Sequence, residues 1–124
     1  MRLLLDSHVV IWWLDGSPLS IAAEAAIRDP ANEPTISVAS LWELRLKQSK
    51  GRLRLPGAFD DFVAAPRIAV LDIRRIHADA IVALPGHHGD PFDRMLVAQA
   101  MVEGMTLVTR DRRLPAYGAP TILA

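Results

Sequence analysis

RLLLDSHVVIWWL, residues 2–14, is the most informative stretch of the chain. Residues 2–6 form a short apolar run closed by Asp6, the pattern of a buried strand. SHVVIWWL, residues 7–14, continues as a helix, and Asp15-Gly16 stops it. The run is apolar enough to be mistaken for an export signal. However, Asp6 and His8 interrupt it, one basic residue precedes it, and no small-residue cleavage site follows.

The strand–helix unit recurs. Residues 18–28 are an alanine-rich helix with Pro18 near its start. TISV (35–38) is a second strand, and residues 39–50 a helix that Gly51 ends. A loop over 52–57 leads to a short helix over 58–65. RIAVLDI (67–73) is a third strand, and residues 74–86 a helix stopped at Pro85-Gly86. Residues 91–104 are a helix, TLVT (106–109) a fourth strand and PTILA (120–124) a fifth. Short strands alternating with helices predict an α/β fold, a parallel sheet with helices on its faces. Ligands in such folds sit beyond the carboxyl ends of the strands.

A chain of 124 residues suits one domain, residues 1–124. It has no cysteine, which excludes disulfides and thiolate metal sites and fits a cytoplasmic home. No apolar run reaches membrane-spanning length. Fourteen basic residues balance fourteen acidic ones, so net charge does not select for or against nucleic acid. Twelve of the basic residues are arginine, the better phosphate fork. The apolar fraction of 51% is high for so short a chain and predicts an apolar surface covered by a partner.

The acids are placed more tellingly than their number. Asp6 follows the first strand, Asp111 lies two residues beyond the fourth, and Glu43 lies in the helix after the second. Asp90 and Asp93 open the helix that leads into the fourth strand. Each has an ordinary explanation. Asp6 and Asp111 read as helix N-caps worth about 1 kcal/mol. Asp90-Pro91 with Asp93 reads as a capping box, and Glu43 falls away from the side marked by Val38, Leu41 and Leu44. Yet the strand ends of a parallel sheet share one edge, where these acids would converge. Crowded carboxylates raise one another's pKa, and a divalent cation relieves that repulsion. Hard oxygen donors suit Mg2+ or Mn2+. Asp90 then reads as the cap and Asp93 as the ligand, although the spacing also permits the reverse.

In this order, LLLDSHVVIWWL, ISVASLWELRLK, GDPFDRMLVAQA and LVTRD resemble the four acidic segments of PIN-domain ribonucleases of the VapC toxin type. The resemblance spans nearly the whole chain. It implies a three-layer α/β/α sandwich around a short parallel sheet of about five strands. It also implies a catalytic, metal-binding quartet of Asp6, Glu43, Asp93 and Asp111, with Thr109 as the hydroxyl residue two before the last acid. Asp6 and Asp93 would bind Mg2+ or Mn2+ most directly; Glu43 and Asp111 would complete the shell or support a second ion. The implied activity is metal-dependent endonucleolytic hydrolysis of RNA by the toxin of a toxin–antitoxin pair. The implied partners are an RNA substrate, a cognate antitoxin and a second copy of the chain. Ser7 stands where threonine is more usual, and Gly89 where a basic residue often precedes DPFDR.

The remaining polar residues fit around this scheme. Arg110, Arg112 and Arg113 flank Asp111 and are candidate RNA contacts; Arg45, Lys47, Lys50, Arg52 and Arg54 fit a solvated face equally well. Arg94 is read as a partner for a carboxylate. His8 lines the site or packs in it, His77 has no evident partner, and adjacent His87 and His88 are poor geometry for one metal. Trp12 and Trp13 could stack on bases or pack against a protein, and packing is the preferred reading, since apolar anchors are common at interfaces. Two rival readings remain. An aspartate-based phosphotransferase lacks its companion acid after Asp6; a noncatalytic binding module would leave the acids as helix caps alone.

Overall fold

The computed structural model describes residues 1–124. Five parallel strands form one sheet: β1 (Arg2–Leu5), β2 (Glu33–Ser37), β3 (Ala69–Leu71), β4 (Thr106–Thr109) and β5 (Thr121–Leu123). Their order is β3-β2-β1-β4-β5, which puts β1 in the middle. Leu4 sits opposite Thr35 of β2 and Leu107 of β4.

Successive side chains of a strand point to opposite faces, and β1 builds the core on both. Leu3 and Leu5 join Ile36 and Val108 on one face, under α1 (Ser7–Asp15), α2 (Ile21–Arg28), α3 (Val38–Ser49) and α4 (Phe59–Ala64). Leu4 joins Leu107 on the other face, under Leu96, Val97 and Ala100 of α6 (Pro91–Glu103). A 3₁₀ turn, Leu114–Tyr117, adds Leu114 and Tyr117 to that face. The result is the expected α/β/α sandwich. It also explains why β1 lacks apolar/polar alternation: a strand covered on both faces has no solvent side. No helix is long and apolar enough to cross a membrane.

Several boundaries differ from expectation for local reasons. The second helix starts at Ile21 rather than Pro18, because Ser20 Oγ accepts from Ala23 N at 3.1 Å and so caps it. β2 begins at Glu33 and tolerates Pro34, because pairing to β3 starts only at Thr35 and no ladder bond is lost there. β3 is limited to three residues at the sheet edge. The helix expected over 74–86 is α5, Arg75–Ile81, and a loop follows. Arg94 gathers that loop, donating to the carbonyls of Ile81, Leu84 and Pro85 at 3.4, 3.3 and 2.8 Å. Those carbonyls are bonded without further helix, and Arg94 pairs with no carboxylate. The 3₁₀ turn at Leu114–Tyr117 was not expected.

His77 does have a partner. It is fully buried, its Nδ1 accepts from Arg74 N at 2.9 Å, and its Nε2 lies 2.8 Å from Glu103 Oε1. This contact pins α5 to α6 and holds the Glu103 carboxyl below the usual range.

The two-sided packing of β1 makes a definite demand. Leu4→Ala should cost about 3 kcal/mol, since the fully buried leucine would leave a cavity in the middle of the sheet. Urea unfolding should show this as a lowered midpoint at unchanged slope.

Candidate functional site

Because β2, β1 and β4 are parallel neighbours, their carboxyl ends open on one side. There they surround a cavity of about 220 Å³ bordered by Asp6, Glu43, Asp90, Asp93 and Asp111. Acids up to 105 residues apart in the chain thus share one hollow. Lys47, Arg110, His8 and Trp12 complete its rim.

Asp6 is 8% exposed and serves two purposes at once. Its Oδ1 accepts from His8 N at 3.3 Å, capping α1, and its Oδ2 accepts from Thr109 Oγ1 at 2.7 Å. The helix-cap explanation and the site explanation are therefore compatible for this residue. Thr109 Oγ1 also accepts from Asp111 N at 3.1 Å, so one hydroxyl links the ends of β1 and β4. Ser7 Oγ lies 2.7 Å from Glu43 Oε1 and 3.3 Å from Asp6 Oδ1. A hydroxyl has one proton, and the shorter contact is where it goes.

Glu43 is also 8% exposed and so is not solvated. The buried side of α3 is Ala39, Ser40, Glu43 and Leu44, and it carries polar residues that apolar periodicity passes over. Lys47 lies one turn on, its Nζ 3.3 Å from Glu43 Oε2. At the start of α6 the two aspartates divide their work. Asp90 Oδ1 accepts from Phe92 N at 2.8 Å and Asp93 N at 3.4 Å, as a cap. Asp93 turns its own carboxyl to the cavity, where its Oδ2 meets His88 Nε2 at 3.1 Å.

His88 is the site residue that sequence reasoning missed. Its side chain is 7% exposed. Nδ1 accepts from Asp90 N at 2.9 Å, so the proton is on Nε2, which lies 2.9 Å from Asp111 Oδ2 and 3.1 Å from Asp93 Oδ2. The adjacent pair of histidines had counted against a metal role, but the two rings part company. His87 packs edge-on against Tyr117 at 5.0 Å. The available signal was His88's position two residues before a capping aspartate, where a side-chain acceptor can reach the cap's N–H.

The electrostatics divide the acids. Burial pushes the Asp93 carboxyl up to about 7, and the neighbouring charges of Asp6 and Asp90 push the same way. Asp111 is held well below the usual carboxylate range by hydrogen bonds from Arg113, whose Nε and Nη2 reach its two oxygens at 3.0 and 2.8 Å. Of the arginines flagged beside Asp111, Arg113 is thus engaged with that carboxylate, Arg110 lies over Trp12, and Arg112 is exposed. His88, Asp93 and Asp111 each offer a ligand atom within 4.8 Å of the others. Asp6 and Glu43 lie deeper on the same cavity. A carboxylate raised by burial and by neighbouring acids marks uncompensated negative charge. An all-oxygen set of acids with one imidazole beside it fits a hard divalent cation.

Comparison with known proteins agrees with this architecture. The PIN domain family model matches residues 3–120. Ribonuclease VapC22 of Mycobacterium tuberculosis is 36% identical over 121 residues, covering 94% of this chain and 92% of that protein. Among solved structures, VapBC2 from Rickettsia felis bound to a promoter DNA fragment matches with a TM-score of 0.76 at 20% identity, covering 100% of this chain and 98% of that chain. DNA-bound VapBC from Salmonella typhimurium matches with a TM-score of 0.73 at 21% identity, covering 98% of this chain and 96% of that chain.

The crowding at Asp93 has a measurable consequence. Folded, this carboxyl keeps its proton up to about pH 7; unfolded, it loses it near the ordinary 3.8. Between those values the unfolded chain binds fewer protons, so metal-free protein loses stability as pH rises across the window. Asp93→Asn removes that cost. In EDTA its Tm should exceed wild type by on the order of a few degrees above the window and match it below, as followed by calorimetry. A divalent cation should raise the Tm of wild type more than that of the variant.

Proposed function

The chain belongs to the PIN domain family, and from that premise we propose that it is a metal-dependent endoribonuclease, the toxin of a toxin–antitoxin pair. The observation that carries the proposal is the shared cavity: acids that follow β1, β2 and β4 and acids at the start of α6 border it, and burial together with the neighbouring acids raises Asp93. Helix capping accounts for Asp90 and for part of Asp6, but not for Asp93 or Glu43. That counts against a noncatalytic module whose acids are caps alone.

Asp6, Glu43, Asp93 and Asp111 would hold Mg2+ or Mn2+, with Asp6 and Asp93 as the most direct ligands. Such an ion supplies Lewis-acid polarisation of the phosphodiester and an activated water. The protein's own groups do the rest. Thr109 fixes Asp6 by its 2.7 Å bond, and Ser7 fixes Glu43 at the same distance. Thr109 thereby acts as a positioning residue for the quartet. The hydroxyl retained at Ser7 keeps the link that threonine would make. Arg113 and His88 keep Asp111 ionised and oriented. Lys47 sits where it can meet a substrate phosphate once it leaves Glu43. Arg112, exposed beside the last acid, is the free member of its cluster for the RNA backbone.

The partners follow the same lines. Structural neighbours that are VapBC complexes support a cognate antitoxin. An apolar groove of about 200 Å³ between Trp42, Ile73, Phe92 and Met95 supports a protein-covered surface, of antitoxin or of a second copy in a homodimer. Trp42 is 59% exposed there. The site of action would be the cytoplasm, where the RNA substrate is found.

Three outcomes are expected. Purified protein should cut RNA with Mg2+ or Mn2+, stop in EDTA, and recover when the ion is restored. Asp6→Asn should lower the rate by about a thousandfold or more at unchanged circular dichroism. Expression should arrest growth, and the product of the neighbouring gene should reverse it. Full cleavage by Asp6→Asn protein in EDTA would overturn the proposal.

A further inference from the structure

We propose that Trp12, Arg110 and His8 form a stacking platform for one unpaired nucleobase beside the bond that is cut. This rests on the ribonuclease reading above and adds how the substrate is held. Arg110 lies over Trp12, its Cζ 3.8 Å from the ring centroid. His8 stands one helical turn before Trp12, with ring centroids 5.7 Å apart and planes tilted by 36°. All three border the cavity that holds the acids.

Their arrangement is imposed by the fold. Asp6 caps α1, so positions 8 and 12 of that helix fall on the side facing the cavity mouth. Trp13 is turned elsewhere and lies under Arg28 at 4.8 Å. Of the two tryptophans expected to pack, only Trp12 reaches the site. Arg110 is tethered at both ends of its guanidinium, Nη2 to Pro18 O at 2.8 Å and Nε to Ala124 O at 3.2 Å. Two of its five N–H donors are thus spent on carbonyls. It offers a plane more than a phosphate fork, and its charge strengthens the stack through the indole face.

The charge of the floor says what such a platform adds. Asp6, Glu43, Asp90, Asp93 and Asp111 repel an RNA backbone, and the rim cations Lys47 and Arg110 are both already engaged. Attraction that does not depend on phosphate charge would add to what Lys47 and Arg112 offer the backbone. Stacking of a base on an aromatic or guanidinium plane supplies it, and every base has a π face to offer. A base inside a duplex is already covered on both faces, so the platform selects an unpaired nucleotide.

The test crosses a protein change with a substrate change. An RNA whose cut site has been mapped is made intact and with an abasic residue on either side of the cut. Wild type, Trp12→Leu and Trp12→Phe are assayed on each with Mn2+, for kcat and KM separately. Leucine keeps apolar bulk against the core, and phenylalanine keeps a flat ring. Expected is a roughly tenfold to hundredfold loss in kcat/KM for Trp12→Leu on intact RNA, and a similar loss for wild type on one abasic RNA. The two changes together should lose little more than either alone, and Trp12→Phe should retain most of the activity. If wild type cuts intact RNA but Trp12→Leu cuts every RNA equally well, or if the two losses multiply, the platform is overturned and the ribonuclease stands. If wild type cuts no RNA, both fall.

Discussion

The carboxylate of Asp6 sits where the middle strand ends, and β4 and α1 meet on it. Thr109 donates to it from the end of β4, the N–H of His8 from the first turn of α1, and Ser7 bridges the short distance to Glu43 on α3. Burial raises the Asp93 carboxyl to about 7, and the neighbouring Asp6 and Asp90 carboxylates push it the same way. The sheet thus gathers negative charge at a partly buried position. This built-in imbalance is the property that a divalent cation would relieve.

Around that imbalance the protein distributes its cations with economy. Arg113 and His88 are committed to Asp111, Lys47 to Glu43, and Arg94 to the carbonyls of the loop that carries His88. Arg110 is tied to the chain's last residue and to Pro18. Of the cations beside the site, Arg112 alone is left exposed and without such a partner. Nucleic acid reaching this edge meets fixed acids, tethered arginines and a flat aromatic surface, a different prospect from a loose basic patch.

Apolar surface completes the division of labour. The faces of the sheet are buried within the chain, whereas Trp42, Phe92 and Met95 line a groove that the chain leaves open. Trp42 and Phe92 pack edge to face at 5.2 Å, so the groove is shaped before any partner arrives. Preformed apolar surface costs a partner little ordering on binding. The high apolar fraction of so short a chain is accounted for in two places, a two-sided core and this groove.

Sequence was sufficient for whatever depends on local order and on the sharing of strand ends. The apolar run of β1, the acid at its end, the proline after Asp90 and the glycine that closes α6 in the left-handed region are all local chemistry. From these the alternation of strands and helices, and the edge where acids gather, could be read directly. The same helix-start rules favoured Asp90 as the cap while permitting the reverse, and the cap bonds of Asp90 come from the structure. Other features depended on partners remote along the chain. Glu43 is buried although periodicity placed it in solvent, because the buried side of α3 is polar where it meets the site. His88 joins Asp93 and Asp111 only because Arg94 folds its loop inward. His77 finds Glu103 across α6, and Arg110 finds Trp12 across the sheet edge. A side chain's propensity is set by its neighbours in sequence. Its charge state and its company are set by neighbours in space, which the chain acquires only when the sheet closes.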